Sequence, residues 1–222
     1  MAAHGPTQAA AYPIAVLISG SGSTLRNILE RCNDGRLSAR VAGVVASRDC
    51  SGLDHAREFG VPYSVVVRPK PFDVQQFSMG VTAALRQWAP ELILFGGFLS
   101  LYLPPCEYAG RVLNIHPALL PAHGGQGMYG DKVHEAVLAS GARVSGCTVH
   151  LVDAAYDHGP VVAQRVVPVL DGDDVHSLGE RVRRAERELY PTVISWYASG
   201  RVSVGADGRI TVAGRDLRAG NE

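Results

Sequence analysis

Residues 13–24 read Pro13-Ile14-Ala15-Val16-Leu17-Ile18-Ser19-Gly20-Ser21-Gly22-Ser23-Thr24. The apolar first half of this stretch is typical of a strand buried inside a parallel sheet. The polar second half is a glycine-rich loop, and a helical pattern then runs from Leu25 to Arg31. A strand, a loop and a helix in this order predict the first unit of an alternating α/β fold.

The same alternation continues through the first half of the chain. Apolar runs predict further strands at 41–45, 62–67, 91–95 and 112–115, with helices at 54–59 and 74–88 between them. We therefore predict an α/β fold with a doubly wound, mostly parallel sheet. In such sheets, ligands bind at the carboxyl ends of the strands.

The second half of the chain has a different pattern. After a helix at 132–139, alternating apolar and polar residues predict an antiparallel pair of strands on the sheet edge, at 145–152 and 161–169. A long helix at 175–198 and a hairpin at 201–212 follow. We expect residues 1–12 to form a disordered tail, residues 13–200 one domain, and residues 201–222 a C-terminal hairpin and tail.

Composition argues against several classes of protein. The 222 residues are 46% hydrophobic, enough for one substantial core, and 21 basic residues balance 21 acidic ones. This balance gives no electrostatic surface for nucleic acid or membrane, so we expect neither as a partner. No apolar run reaches the roughly 18 residues of a membrane span. The four cysteines lack zinc-ligand spacing, which predicts no metal site and reduced thiols in a cytoplasmic protein.

The loop after the first strand is a candidate anion site. Gly20 and Gly22 allow the backbone to curl, so that N–H groups at the start of the helix face an anion. No Lys follows as in a Walker A loop, and Leu25 replaces the third glycine of a dinucleotide motif. We favour a phosphate monoester site here over a tight turn with Ser/Thr caps.

Asn114 and His116 are the most informative pair of polar residues. They lie at the end of a predicted buried strand, and side chains two apart on a strand point the same way. An amide can donate a hydrogen bond to a developing oxyanion, and an imidazole can move a proton. The pair therefore suits acyl transfer, and a hydrogen-bonded pair in the core is the alternative.

Other polar residues depend on where the fold places them. Asp157 lies in a turn, where Asp is commonplace, and gains a role only if it meets His116, whose pKa a carboxylate would raise. Thr148 and His150 alternate on one strand face and either support the site or are simply packed. The charged stretch 181–188 is predicted to be a solvated helix face. The remaining histidines are predicted to be surface residues: His4, His55, His123, His134, His158 and His176.

Several motifs occur in order along the chain and together resemble a known family. They are Ser19-Gly20-Ser21-Gly22-Ser23, Asn114-Ile115-His116-Pro117-Ala118-Leu119-Leu120-Pro121, Gly146-Cys147-Thr148-Val149-His150, Asp157-His158-Gly159-Pro160 and Leu189-Tyr190-Pro191. From about Ile14 to near Gly200, the chain resembles the phosphoribosylglycinamide formyltransferases, folate-dependent enzymes of purine synthesis in the formyltransferase superfamily. The resemblance implies a Rossmann-like formyltransferase fold for residues 13–200.

The resemblance also implies an activity. A formyl group would pass from the co-substrate 10-formyltetrahydrofolate to the amine of 5-phosphoribosylglycinamide, without a metal. Asn114 would donate to the formyl oxygen, His116 would stabilise its charge and shuttle the proton, and Asp157 would orient and charge His116. A cis peptide bond between Leu120 and Pro121 is implied as well.

Binding residues follow from the same resemblance. Those for phosphoribosylglycinamide would be Gly22, Ser23 and Thr24 at the phosphate and Glu186 at the ribose hydroxyls. Those for 10-formyltetrahydrofolate would be Leu99, Ser100, Leu101, Tyr102, Asn114, Val152 and Gln75, with Thr148 and His150 in support. Both a monomer and a homodimer are compatible with these assignments.

The chain departs from the family pattern around the folate. Leu99-Ser100 stands where members carry Met-Arg, an Arg usual near the position of Gln75 is absent, and the glycine-rich segment 122–130 is longer than usual. These departures put the cofactor contacts and the preference for folate polyglutamates in question. The loop Gly124 to Gly130 is either a flexible lid over the substrate or a plain surface loop.

Other functions are alternatives. A formyltetrahydrofolate hydrolase normally carries an N-terminal regulatory domain, and a methionyl-transfer-RNA formyltransferase carries a C-terminal barrel; we expect neither here. A sugar-amine formyltransferase would need a nucleotide-sugar site. A Rossmann-type oxidoreductase could use Asp49 as its ribose acid, but it would leave Asn114 and His116 unexplained.

Overall fold

The computed structural model of the chain describes residues 11–205 and 208–214. Residues 1–10, most of the predicted disordered tail, lie outside this part, and the first strand begins at Tyr12. Residues 206–207, at the centre of the predicted hairpin, and residues 215–222 also lie outside it.

Seven strands form one mixed sheet. They are β1 (Tyr12–Ile18), β2 (Ala39–Ala46), β3 (Tyr63–Val65), β4 (Leu92–Phe95), β5 (Val112–His116), β6 (Val144–Leu151) and β7 (Val161–Pro168). Their order is β3-β2-β1-β4-β5-β6-β7, with the pairs from β3 to β5 parallel and the last two pairs antiparallel. The predicted doubly wound, mostly parallel sheet with antiparallel edge strands is confirmed.

Helices cover both faces of this sheet, and a small hairpin follows. The helices are α1 (Ser23–Asn33), α2 (Gly52–Glu58), α3 (Val74–Arg86), α4 (Asp131–Ala139) and α5 (Val175–Ala198), and the hairpin consists of β8 (Val202–Val204) and β9 (Ile210–Val212). The C-terminal hairpin is thus confirmed, and the domain limit near residue 200 stays a prediction. No helix in the described ranges is long and apolar enough to cross a membrane.

The clearest difference from the predicted elements is β3, which is shorter than the predicted 62–67. Its pairing with β2 ends at Val65, and one further hydrogen bond joins the Val66 N–H to the Ala46 carbonyl. The chain then leaves the sheet, and Val67 is 69% exposed. An edge strand has only one neighbour to hold it, so an apolar run can continue beyond the paired residues.

The core lies on both sides of the central strand β1. Ile14, Val16 and Ile18 pack into a cluster with α1 and α5, whereas Ala15 and Leu17 pack into a second cluster with α3. All five side chains are fully buried. Burial of alternate residues on both faces explains why this strand is an unbroken apolar run.

The long helix α5 is fixed at its start and near its middle. Asp174 and Ser177 cap each other, because each side chain binds the other residue's backbone N–H. Pro191 lies inside the helix and has no N–H for the carbonyl of Arg187, four residues earlier. The Asn27 amide of α1 donates to that carbonyl at 3.1 Å and so joins the two helices.

β1 is also the point at which the sheet changes winding direction, because β2 lies on one side of it and β4 on the other. At such a point, the loops that follow the two neighbouring strands diverge and leave a crevice at the carboxyl edge. The loops after β1 and β4 and the end of β5 all reach this edge.

Candidate active site

A cavity of about 530 Å³ lies at this carboxyl edge. Its volume is in the usual range for small-molecule sites. Most of the residues predicted to act on substrates line it: Ser23, Thr24, Leu99, Ser100, Leu101, Tyr102, Asn114, His116, His150, Val152, Asp157 and Glu186. Gly22, Thr148 and Gln75 are outside the lining.

Asn114 and His116 are adjacent on the same face at the end of β5. In the antiparallel register with β6, Asn114 lies opposite His150, and His116 lies opposite Thr148. The Asn114 amide Nδ2 is 3.2 Å from Asp157 Oδ1, to which it donates, and 3.1 Å from His150 Nε2. The predicted oxyanion donor is therefore held by two neighbours.

The backbone sets the tautomer of His150. Its Nδ1 lies 2.8 Å from the Leu151 carbonyl oxygen, which can only accept, so Nδ1 carries the proton. In the neutral ring, Nε2 is then an acceptor for the Asn114 amide. His150 thus fixes the orientation of Asn114.

His116 is buried and faces two different acceptors. Its Nε2 lies 2.9 Å from the His123 carbonyl oxygen and donates to it, while its Nδ1 lies 3.4 Å from Asp157 Oδ2. Burial lowers the pKa of His116, and the Asp157 carboxylate opposes this effect without cancelling it. Before the reaction, the neutral His116 ring can therefore accept a proton at Nδ1. The neighbouring Asp157 carboxylate stabilises the cation that results.

Asp157 accepts hydrogen bonds from the Asn114 amide and from the backbone of Gly125. Its Oδ2 accepts from the Gly125 N–H at 3.0 Å, and its backbone has a positive φ of 55°, a conformation that is uncommon outside glycine. Burial raises the pKa of Asp157, but its neighbours, among them His116 and the Gly125 N–H, outweigh this effect and hold the pKa below its usual value. Asp157 is thus ionised at neutral pH and meets His116, the condition set for a role in the site.

The start of α1 has the features of an anion site. Gly22 precedes the helix with φ +70°, and a Cβ there would lie 2.8 Å from the Gly52 Cα, so only glycine fits. No side chain caps the helix, which leaves its first N–H groups beside Ser23 and Thr24 at the cavity. Gly22 itself packs behind the lining.

Ser19, at the other end of the same loop, has a structural role. Its hydroxyl lies 2.7 Å from the Ser47 hydroxyl and accepts from the Leu99 N–H at 3.0 Å. It is buried and joins the loops after β1, β2 and β4. The glycine-rich loop is therefore anchored at Ser19, and its end near Ser23 and Thr24 lines the cavity.

Glu186 of α5 lies beside this helix start. It is half-buried and makes no hydrogen bond or ion pair with any residue of the described ranges. Burial raises the pKa of Glu186 to about 7, against the opposing charges of Arg183 and Arg187. The carboxyl group is free to bind a hydroxyl group of a ligand. Arg183, in the same charged stretch, forms an ion pair with Glu180 one turn earlier on α5.

Thr148 acts behind the cavity. Its Oγ1 donates to the Ala118 carbonyl oxygen at 2.6 Å and accepts from the Leu120 N–H at 3.0 Å. It thereby fixes the turn that follows His116, in which the Leu120–Pro121 bond is cis, as the resemblance implied.

The wall opposite the helix start is apolar and aromatic. Phe98, Leu101, Tyr102 and Val152 line it, and Tyr102 is fixed by a hydrogen bond of 3.0 Å between its hydroxyl and that of Thr82. Gln75, predicted to meet the folate here, is instead exposed in the first turn of α3, away from the cavity lining.

Two histidines predicted on the surface contribute to the site. His134 of α4 is 2% exposed and lines the cavity, so that prediction is wrong; its Nδ1 has no partner among the described residues. Burial and the nearby Arg183 lower the pKa of His134. His134 shares the buried face of α4 with Val133 and Val137, a periodicity that could have revealed it. His123 is half-buried, and its carbonyl binds His116.

Comparison with known proteins adds independent information. A sequence model of the family described as "Formyl transferase" matches residues 12–194. The chloroplastic phosphoribosylglycinamide formyltransferase of Arabidopsis thaliana is 40% identical over 88% of this chain and 68% of its own length. The phosphoribosylglycinamide formyltransferase of Mycobacterium tuberculosis H37Rv is 39% identical over 93% of this chain and 94% of its own length.

A solved structure agrees with these relatives. The crystal structure of glycinamide ribonucleotide transformylase 1 from Symbiobacterium toebii superimposes with a TM-score of 0.83 and 36% identity, over 95% of this chain and 98% of the other. The chain therefore belongs to the formyl transferase family, and within it to the phosphoribosylglycinamide formyltransferases.

Proposed function

We propose that this enzyme transfers the formyl group of 10-formyltetrahydrofolate to the amine of 5-phosphoribosylglycinamide in purine biosynthesis. The observation that carries the proposal is the meeting of Asn114, His116 and Asp157 in one cavity. An uncapped helix start and Glu186 lie at one end of it, and an apolar wall lies at the other. A phosphorylated sugar suits the first end, and a flat aromatic ring system suits the second.

In this mechanism, the substrate amine attacks the formyl carbon, and negative charge develops on the formyl oxygen. Asn114 donates to that oxygen. Since its amide already contacts Asp157 and His150, binding of the formyl group replaces one of these contacts. Losing a donor of this kind reduces the rate on the order of 10²–10³-fold.

His116 moves the proton. The attacking amine loses a proton as its new C–N bond forms, and the folate nitrogen gains one as the old C–N bond breaks. The Nδ1 of His116 accepts the first proton, with the Asp157 carboxylate stabilising the cation, and returns it to the leaving nitrogen. No proton is gained or lost overall.

The two substrates occupy the two ends. The N–H groups around Gly22, Ser23 and Thr24 bind the phosphate, and Glu186 binds the ribose hydroxyls. Leu99, Ser100, Leu101, Tyr102 and Val152 surround the folate ring. The proposal requires no metal.

A transfer assay tests the proposal. Purified protein is mixed with 10-formyl-5,8-dideazafolate and phosphoribosylglycinamide, and deformylation is followed by absorbance, beside a control without acceptor. We expect turnover only with the acceptor. Turnover without it would indicate a hydrolase, and turnover only with an amino sugar nucleotide would indicate a sugar-amine formyltransferase; either result contradicts the proposal.

The proposal extends to partners and location. Both partners are small molecules, and the enzyme works as a monomer or a homodimer, which sedimentation would distinguish. We propose a cytoplasmic location, since the described cysteines, Cys32, Cys50, Cys106 and Cys147, are all free thiols. Fractionation of the source cells would test this.

A further inference from the structure

The cavity has one cationic residue at its apolar end. Ser23, Thr24, Arg183 and Glu186 also line a smaller recess together, which marks the phosphate end. Arg68 lines the main cavity but not this recess. It belongs to the segment that follows β3, on the other side of the sheet's switch point.

Arg68 contacts the first of three aromatic rings that pack in a row. Its guanidinium lies 4.0 Å from the centre of the Phe72 ring. Phe72 packs edge-on against Phe77 at 5.8 Å, and Phe77 stacks on Phe98 at 6.1 Å. Since Phe98 is part of the apolar wall, the row connects Arg68 to the proposed folate end.

Arg68 has no acidic partner. It is exposed, and within the described ranges it makes no ion pair or hydrogen bond, only the contact with Phe72. The two carboxylates that line the cavity, Asp157 and Glu186, lie at the centre and at the phosphate end. An exposed, unpaired guanidinium in the cavity lining suits an anion that enters with the ligand.

We propose that Arg68 binds a carboxylate of the glutamate tail of the formyl-folate, and so sets the preference for this tail. The inference rests on the proposed function. A folate carries its carboxylates at the end remote from the pterin, and a guanidinium binds a carboxylate through two parallel hydrogen bonds. Ser100 and Gln75, which the family resemblance predicts to contact the folate, carry no charge that could bind this carboxylate in place of Arg68. Because Arg68 is exposed, a longer polyglutamate tail can continue into solvent beyond it.

The test combines an enzyme variant with a cofactor variant. Steady-state kinetics are measured for the wild type, Arg68→Ala and Arg68→Lys. The formyl donors are 10-formyl-5,8-dideazafolate and the matching 10-formyl-5,8-dideazapteroate, which lacks the glutamate. Lys70→Ala is the control, because Lys70 is an exposed cation in the same segment and is not part of the cavity lining.

We expect Arg68→Ala to raise KM for the glutamate-bearing donor roughly three- to tenfold, with kcat and the KM for phosphoribosylglycinamide unchanged. KM for the pteroate donor stays the same, Arg68→Lys recovers part of the loss, and Lys70→Ala has no effect. An equal change with both donors, or no change with either, would overturn the inference.

Failure of the proposed function is a separate outcome. If the wild type does not formylate phosphoribosylglycinamide, the assignment of the activity fails. Calorimetric titration with 5,8-dideazafolate and 5,8-dideazapteroate still tests Arg68 in that case. The wild type should prefer the glutamate-bearing ligand, and Arg68→Ala should lose this preference; a preference that survives the substitution overturns the role of Arg68.

Discussion

The centre of the cavity and its phosphate end are built in opposite ways. At the centre, polar side chains bind one another or the backbone: Asn114 contacts His150 and Asp157, and His116 is held by a carbonyl. At the phosphate end, the Glu186 carboxyl has no partner among the described residues, and α1 starts without a side-chain cap. The groups proposed to act on the reacting atoms are held by other protein groups, whereas the groups proposed to bind the substrate have no such partners in the described residues.

Substitution at the centre should have the largest effect. We expect His116→Ala to reduce kcat on the order of 10²–10⁴-fold and Asn114→Ala on the order of 10²–10³-fold. The measurement is kcat at saturating concentrations of both substrates, with circular dichroism to verify the fold. His158→Ala, at a histidine whose side chain is 77% exposed, is the control. Normal turnover after loss of both central side chains would contradict the mechanism.

Asp157→Asn tests the interaction between Asp157 and His116 at the centre of the cavity. The Asp157 carboxylate raises the pKa of His116 against the effect of burial, so its removal lowers that pKa further. Since the neutral ring accepts the proton, the low-pH limb of the kcat profile should move to lower pH, while kcat falls on the order of 10²-fold. Asp153→Asn, in the same loop, is the control. If the low-pH limb does not move, Asp157 has no part in the proton transfer.

Glu186→Gln tests whether the unpaired Glu186 carboxyl lowers the stability of the folded protein. The pKa of about 7 lies above the ordinary value of 4.5, so the folded state binds more protons between these pH values, and stability falls as pH rises through this window. At pH 8, Glu186→Gln should therefore raise Tm by about 2–4 °C, corresponding to ~1 kcal/mol, with no gain at pH 4.

The same substitution should weaken substrate binding. Gln cannot supply a charged acceptor to the ribose hydroxyls, so we expect KM for phosphoribosylglycinamide to rise roughly tenfold at pH 8. KM for the formyl donor should not change. Glu135→Gln, at an exposed glutamate on α4, is the control for both readouts. A lower Tm together with an unchanged KM would show that Glu186 is a structural residue.

The sequence alone predicted those features of the fold and the site that depend on residues close together along the chain. The apolar run of β1 predicted a strand buried on both faces, and the spacing of Asn114 and His116 predicted a shared face at the end of β5. Both patterns reflect the two-residue period of a strand, which holds wherever the strand lies.

The parts that depend on packing between distant segments could not be predicted in this way. Arg68 lines the cavity and contacts Phe72, whose ring packs through Phe77 onto Phe98. Asp157 meets His116 only because the loop after β6 folds back. Ser19 lies in the glycine-rich loop but binds Ser47 and Leu99, 28 and 80 residues away. No local pattern distinguishes its role from that of Ser23.

The smallest expected effect concerns the hydrogen bond that joins α1 to α5 beside the proposed phosphate end. Asn27→Ala removes the donor to the Arg187 carbonyl, which Pro191 leaves without its helical partner, so the free energy of unfolding should fall by about 1 kcal/mol. In a Pro191→Ala background, the restored N–H can bind that carbonyl, so the same substitution should cost clearly less; the hydrogen bond that Asn27 Oδ1 accepts from Arg31 Nε is lost in both backgrounds. Equal losses in both backgrounds, measured by urea unfolding, would contradict this account. A clear difference would show that Asn27 fixes α1 to α5 beside the proposed phosphate end, where α1 supplies the N–H groups proposed to bind the anion and α5 supplies Glu186.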